Sequence, residues 1–201
     1  MVNVYAAKAA PRNPMLDDPI FRRFFGVPGQ QPEQMQRSLG SGIMVDASGL
    51  VVTNNHVIEG ASEIKVLLAD KREFEAEIVL KDARADLAVL RLNDGHERFP
   101  FREFGHSHEL PGGDVVLAMG SPAGVSQSVT KGIVANTAMI SPGGSMVLDG
   151  ERVGELVRWI GHDAVINPGN SGGPLVTARG EILGVSEVGI GSLGGAIPST
   201  L

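Results

Sequence analysis

Apolar and polar residues along this chain alternate over short runs, and turn-forming residues close each run. Ile43-Met44-Val45 and Leu50-Val51-Val52 flank Asp46-Ala47-Ser48-Gly49, which reads as the tip of a hairpin. Ile64 to Leu68 and Phe74 to Leu80 follow, joined around Asp70-Lys71. In the second of these, Phe74, Ala76 and Ile78 alternate with Glu75 and Glu77, the signature of a half-buried strand. Leu87 to Leu92, Val115 to Met119, Ser128 to Ile140, Leu175 to Thr177 and Glu181 to Val185 continue the series. Helical periodicity is scarce outside the N-terminal region, and no internal repeat is evident. Many short strands separated by Gly, Pro and Asp predict an all-β barrel or sandwich.

Composition sets limits on this picture. The chain has 201 residues, enough for one domain with a substantial core, and 42% of them are hydrophobic. Its 27 glycines suit an architecture rich in turns. Only 4% are aromatic, so the core must be built from Val, Ile, Leu and Ala. A net charge of −6 gives no reason to expect nucleic-acid binding. No apolar run is long enough to span a membrane. Cysteine is absent, which excludes disulfides. Residues 11 to 38 stand apart: Ile20-Phe21-Arg22-Arg23-Phe24-Phe25 sits between proline-rich stretches that read as linker. Either a short helix covers the domain's own surface there, or the segment reaches outward.

Three segments carry chemistry. Ser171 lies in Asn167-Pro168-Gly169-Asn170-Ser171-Gly172-Gly173-Pro174, where glycines free the backbone for unusual shapes. A serine hydroxyl needs a base to take its proton, and His56 in Thr53-Asn54-Asn55-His56 is suited to that task. A carboxylate must orient the imidazole, and Asp86, just before Leu87-Ala88-Val89-Leu90, can do so. Taken singly, each has a plain reading as a turn, a polar surface residue or a solvated loop aspartate. Order discriminates. Gly169-x-Ser171-x-Gly173 matches a nucleophile elbow, but that fold needs a histidine after the serine, and none follows Ser171. Asp46, His56, Ser171 would be a subtilisin-like order, against which stands the hairpin reading of Asp46. His56, Asp86, Ser171 is the chymotrypsin-like order.

Four blocks then resemble those of the HtrA (Deg) serine proteases: Leu39-Gly40-Ser41-Gly42-Ile43, Val52 to Ile58, Asp86 to Leu90 and Asn167 to Leu175. Gly120-Ser121-Pro122, Val129 to Val134 and Gly195-Ala196-Ile197-Pro198-Ser199 resemble the family as well. The resemblance implies a chymotrypsin-like pair of six-stranded antiparallel β-barrels with short helices. The first would contribute His56 as base and Asp86 as orienting acid, the second Ser171 as nucleophile. Gly169, Asn170 and Ser171 would form the oxyanion hole, and Ile166, Val188 and Glu187 would lie around the substrate pocket. It further implies an N-terminal segment over 1–38 with a regulatory or oligomerisation loop, a protease domain over 39–201, and a homotrimer. Unfolded or misfolded proteins would be the substrates, cut without ATP, metal or other cofactor, in the periplasm. Val2-Asn3-Val4-Tyr5 resembles the mature start of such proteins, which leads to the expectation of a leader before it and a helix and PDZ region after Leu201. An inactive or protease-like scaffold that binds unfolded chains without cleavage is the alternative; a cytosolic regulatory protease is another.

The chain departs from the family's pattern in three places. Ser186-Glu187 stands where Asn-Thr is usual, and the carboxylate could repel Asp86, admit a basic substrate side chain or face solvent, the last being expected. Trp159-Ile160-Gly161-His162-Asp163-Ala164 and Leu193-Gly194-Gly195-Ala196 differ within segments that would be activation loops, with His162 expected as a loop residue. His106-Ser107-His108 could offer two imidazoles on one strand face, but is expected to be a surface loop.

Overall fold

A computed structural model describes residues 1–9, 35–93, 98–121, 126–140, 146–148, 151–153, 157–190 and 192–200. The expected regulatory loop, including Ile20 to Phe25, falls outside these residues.

The first six strands are β1 (Val2–Ala9), β2 (Met35–Asp46), β3 (Leu50–Thr53), β4 (Ala61–Leu67), β5 (Glu73–Asp82) and β6 (Leu87–Leu92). They close into an antiparallel barrel in the order β1-β2-β3-β6-β5-β4. The β2–β3 hairpin turns over 47–49, where Gly49 takes φ +93. Alternation along the strands sends Val4, Val51, Val66 and Leu90 inward, each fully buried. In β5 the alternation fails past Ala76. A register shift between Ile78 and Leu80 leaves Ile78, Val79 and Leu80 exposed. Residue 39 lies inside β2, and β1 is a full stave paired with both β2 and β4.

The second barrel is built from β7 (Val115–Gly120), β8 (Ser128–Met139), β11 (Trp159–His162), β12 (Pro174–Thr177), β13 (Ile182–Ile190) and β14 (Leu193–Pro198). Its strands close in the order β11-β14-β13-β12-β7-β8. Between β8 and β11, β9 (Met146–Leu148) and β10 (Glu151–Val153) form a separate two-stranded ribbon. The fold is thus the chymotrypsin-like double barrel that the blocks of sequence imply.

Each barrel has its own core, around Val4, Val66 and Leu90 in the first and Val116, Leu175 and Leu183 in the second. A third apolar cluster joins them: Ile43 and Val52 of the first barrel pack with Trp159, Val176, Val185 and Ile197 of the second. Burying Trp159 completely at this seam takes a large apolar area out of water. The seam therefore fixes how the two halves meet, and the candidate catalytic residues lie along it.

Candidate active site

His56 sits in α1 (Asn55–Ile58), a single turn that follows β3. A turn this short leaves its first N–H groups without partners, and Asn54, at the cap, makes no side-chain capping bond. Asp86 supplies what is missing. Its backbone carbonyl accepts from the Asn55 N–H at 3.1 Å and from Asn54 Nδ2 at 3.0 Å. Its Oδ1 accepts from the His56 N–H at 2.8 Å, and its Oδ2 lies 2.6 Å from His56 Nδ1. Asp86 takes φ +52, a left-handed conformation that aspartate tolerates better than most residues. The strain is offset by four polar contacts to one helical turn, and the imidazole is fixed in backbone and ring alike.

Burial pushes the imidazole of His56 down, but its hydrogen bond to Asp86 and the nearby charges of Asp86 and Glu187 outweigh this and hold it above its ordinary value. The side chain remains 23% exposed, so the base is open to a reacting partner.

Ser171 lies in the turn between β11 and β12, which is laced to both barrels. The Ser41 N–H of β2 donates to the Ser171 carbonyl at 2.8 Å, and Ser41 Oγ donates to the Gly169 carbonyl at 2.7 Å. The same Oγ accepts from the Ser121 N–H at 3.1 Å, at the end of β7. From β13, the Ser186 carbonyl accepts from the Gly172 N–H at 2.9 Å, and the Ser186 N–H donates to the Gly173 carbonyl at 2.7 Å. Gly169 and Gly172 take φ +103 and +86. A Cβ on Gly172 would lie 2.1 Å from the Ser41 carbonyl oxygen and 2.5 Å from Thr53 Oγ1, so glycine alone allows this close docking.

Of the three residues assigned to the oxyanion hole, Asn170 spends its N–H on the Asn167 carbonyl at 3.0 Å. That removes it as a donor, because the tight turn needs the bond. The N–H groups of Gly169 and Ser171 have no partner among the described residues and stay available. The Ser171 hydroxyl likewise has no hydrogen-bond partner among them.

The pocket residues diverge. Ile166 is half-buried in the approach to the serine, and Val188 lies on β13, with its side chain outside the description. Glu187 does not face solvent, and that expectation is corrected. It is 1% exposed, and its Oε2 accepts from Trp159 Nε1 at 2.5 Å. Burial and then the charge of Asp86 push its carboxyl up to about 7, against the Trp159 hydrogen bond and the His56 charge.

His162 is likewise no loop residue. It ends β11, pairs with Gly194 of β14 and is completely buried. Neither ring nitrogen has a hydrogen-bond partner among the described residues, and burial pushes the imidazole down. A Cβ on Gly194 would lie 2.5 Å from its Cε1 and 2.8 Å from Ile166 Cγ1, so the ring lies over bare backbone beside Ile166. His106 caps a 3-10 turn at Ser107–Glu109 and His108 lies within it, not on a strand face, and their rings meet edge to face at 5.6 Å. Among the described residues no three His, Cys, Asp or Glu side chains converge as metal ligands would.

Sequence reading did not assign roles to Ser41, Ser121 or Trp159. Ser41 lay within a quoted block, but a hydroxyl bridging two distant backbone segments leaves no mark in local pattern. Trp159 carried a signal: a lone tryptophan drawn into an apolar strand needs a partner for its N–H.

Known proteins bear on this geometry. The family model described as trypsin-like peptidase domain matches residues 40–185. The chain is 39% identical over 176 residues to a Synechocystis sp. protein named "Putative serine protease HhoA", covering 87% of this chain and 43% of that one. It is 39% identical over 195 residues to a Chlamydia trachomatis protein named "Probable periplasmic serine endoprotease DegP-like", covering 92% and 37% respectively. The chain thus spans less than half the length of these curated relatives. The solved structure of the HtrA-type protease AlgW with a tripeptide superposes with a TM-score of 0.74 at 35% identity, covering 99% of this chain and 56% of AlgW.

Proposed function

The chain belongs to the trypsin-like peptidases, as a protease domain of the HtrA family, and from that premise we propose that it is a serine endopeptidase. The observation that carries the reading is the Asp86–His56 pair, bonded at 2.6 Å on the first barrel, together with the Ser171 turn of the second barrel, which is hydrogen-bonded to Ser41 of the first. Ser171 Oγ attacks the scissile carbonyl while His56 Nε2 takes its proton. Asp86 holds Nδ1–H, fixing the tautomer and stabilising the imidazolium. The Gly169 and Ser171 N–H groups bind the developing oxyanion, a role that fits their lack of other partners. His56 then protonates the leaving amine, and water, activated by the same imidazole, releases the acyl group from Ser171. No step calls on a nucleotide or a metal.

The substrates are unfolded or misfolded proteins, cut in the periplasm by an assembly of three copies. The names of the DegP-like relatives and the AlgW neighbour support the location and class of this activity. Ile166 and Val188 favour a small or medium aliphatic side chain before the scissile bond.

A fluorophosphonate probe, used alongside reduced casein, tests the reading. The wild-type chain is expected to be labelled and to cleave. Ser171→Ala is expected to lose labelling, and roughly a millionfold in kcat. A folded wild-type chain that neither labels nor cleaves would favour the alternative, a scaffold that binds unfolded chains without cutting them.

A further inference from the structure

Glu187 is the most heavily buried acid the mechanism does not use. Three features make it more than a packed side chain. Oε2 is committed to Trp159 Nε1, which orients the carboxyl. Oε1 is buried and has no hydrogen-bond partner among the described residues, and the nearby charge of Asp86 acts on this carboxyl. Asp86 itself is 1% exposed and already bonded to His56 through both oxygens, so it can only accept. Two carboxyls in contact inside a protein are held together best by one proton between them. The charged groups around the pair are His56 and, behind it, Lys8, whose Nζ reaches the His56 carbonyl at 3.5 Å. His162, on the same strand as Trp159, is buried with neither ring nitrogen hydrogen-bonded among the described residues and is not among the groups whose charge acts on Glu187.

We propose that Glu187 is a positioning residue of the triad, forming the chain Trp159–Glu187–Asp86–His56. When protonated it donates from Oε1 to Asp86 and leaves His56 neutral and able to act as base. When it gives up that proton, its charge holds His56 protonated, so the pair acts as a brake around neutral pH. The forms Glu187-H with neutral His56 and ionised Glu187 with imidazolium contain the same number of protons. They exchange without net uptake, and only the first can start the reaction. The value of about 7 for Glu187 and the upward displacement of His56 fit this sharing. The inference rests on the proposed roles of His56 and Asp86, and its test includes a readout that does not.

Glu187→Gln keeps an oxygen for Trp159 and an N–H for Asp86, and it cannot ionise. In the pH dependence of kcat/KM, its acid limb is expected to lie about half a pH unit below that of the wild type. Between about pH 7 and 8, where the wild-type carboxyl ionises and keeps the proton on His56, the variant should therefore be up to about twofold faster, the two profiles converging below about pH 6 and above about pH 9. Superimposable profiles from two equally stable proteins would overturn the proposal. The second readout uses Trp159, the sole tryptophan of the chain. In a Ser171→Ala background its emission is expected to titrate with a midpoint near 7, to become flat with Glu187→Gln, and to shift upward with His56→Ala. A flat response in the parent overturns the proposal whatever the activity assays give. A titration that follows this pattern in a chain whose wild type never cleaves supports the shared proton, and the endopeptidase reading alone fails.

Discussion

Ser41 shows how much one hydroxyl can carry in this molecule. Its Oγ is simultaneously donor to Gly169 and acceptor from Ser121, so removing it leaves two buried backbone groups unpaired. Ser41→Ala is expected to cost about 2–4 kcal/mol by denaturant unfolding. Probe labelling should fall further than stability explains, because the Gly169 carbonyl fixes the peptide next to the oxyanion donors. His162 should behave oppositely. Its folded value is depressed, so it contributes stability above its ordinary value and loses it as pH falls below. His162→Leu is expected to flatten the loss of Tm between pH 7 and 5 while leaving Tm at pH 8 within a few degrees. Glu187 has the contrary sign, being raised in the fold. Its contribution is complete below about 4.5 and is lost as pH rises towards 7. Glu187→Gln should therefore gain stability over the wild type at pH 8 and not at pH 4.5, roughly 2 kcal/mol or about 4–8 °C in Tm. Ser171, His56 and Asp86 could be singled out as candidates because the chemistry admits few residue types and their order excludes rival folds. Glu187 was not legible, since a lone acid near a strand end ordinarily faces water. Its phase with Leu183 and Val185, both buried, was the available clue.

At the level of elements, β3 to β8, β12, the first half of β13 and the end of β2 over Ile43 to Val45 were readable wherever side chains alternate or apolar runs end in a turn. The strands that escaped did so for physical reasons. In β1, Asn3, Ala7 and Lys8 interrupt the apolar pattern, and only pairing with β2 and β4 makes it a strand. β11 is four residues long and buried on every side, so no alternation exists to be seen. β14 carries Gly194 and Gly195, which read as loop, although Gly194 is what lets the His162 ring lie flat against the strand. The nucleophile turn makes the sharpest demand on sequence. Gly172→Ala would combine a left-handed φ with a Cβ overlapping the Ser41 carbonyl. We expect it to abolish fluorophosphonate labelling and to destabilise by more than about 2 kcal/mol, measured by chemical unfolding. A variant that labels normally would mean that the turn can dock on Ser41 in another way.

For the whole molecule, the decisive surface is the seam where Ile43, Val52 and Trp159 meet. The proposed triad draws on both barrels, so the proposed site exists only while the seam is closed. The double-barrel architecture followed from family resemblance more than from periodicity, which by itself left barrel and sandwich open. The segment before β2 belongs to a larger question of assembly. If it joins three copies, deleting residues 16–33, which spares β2, should convert a trimer to a monomer by light scattering and reduce casein cleavage at least tenfold. An unchanged mass and rate would remove the segment from both roles. Closure of each barrel has a further consequence. If the protein works among denatured chains, as proposed, it is surrounded by molecules seeking main-chain partners, and an open sheet would recruit them as added strands. Within the two barrels every stave already has a neighbour on both flanks, which leaves such chains no barrel edge to extend.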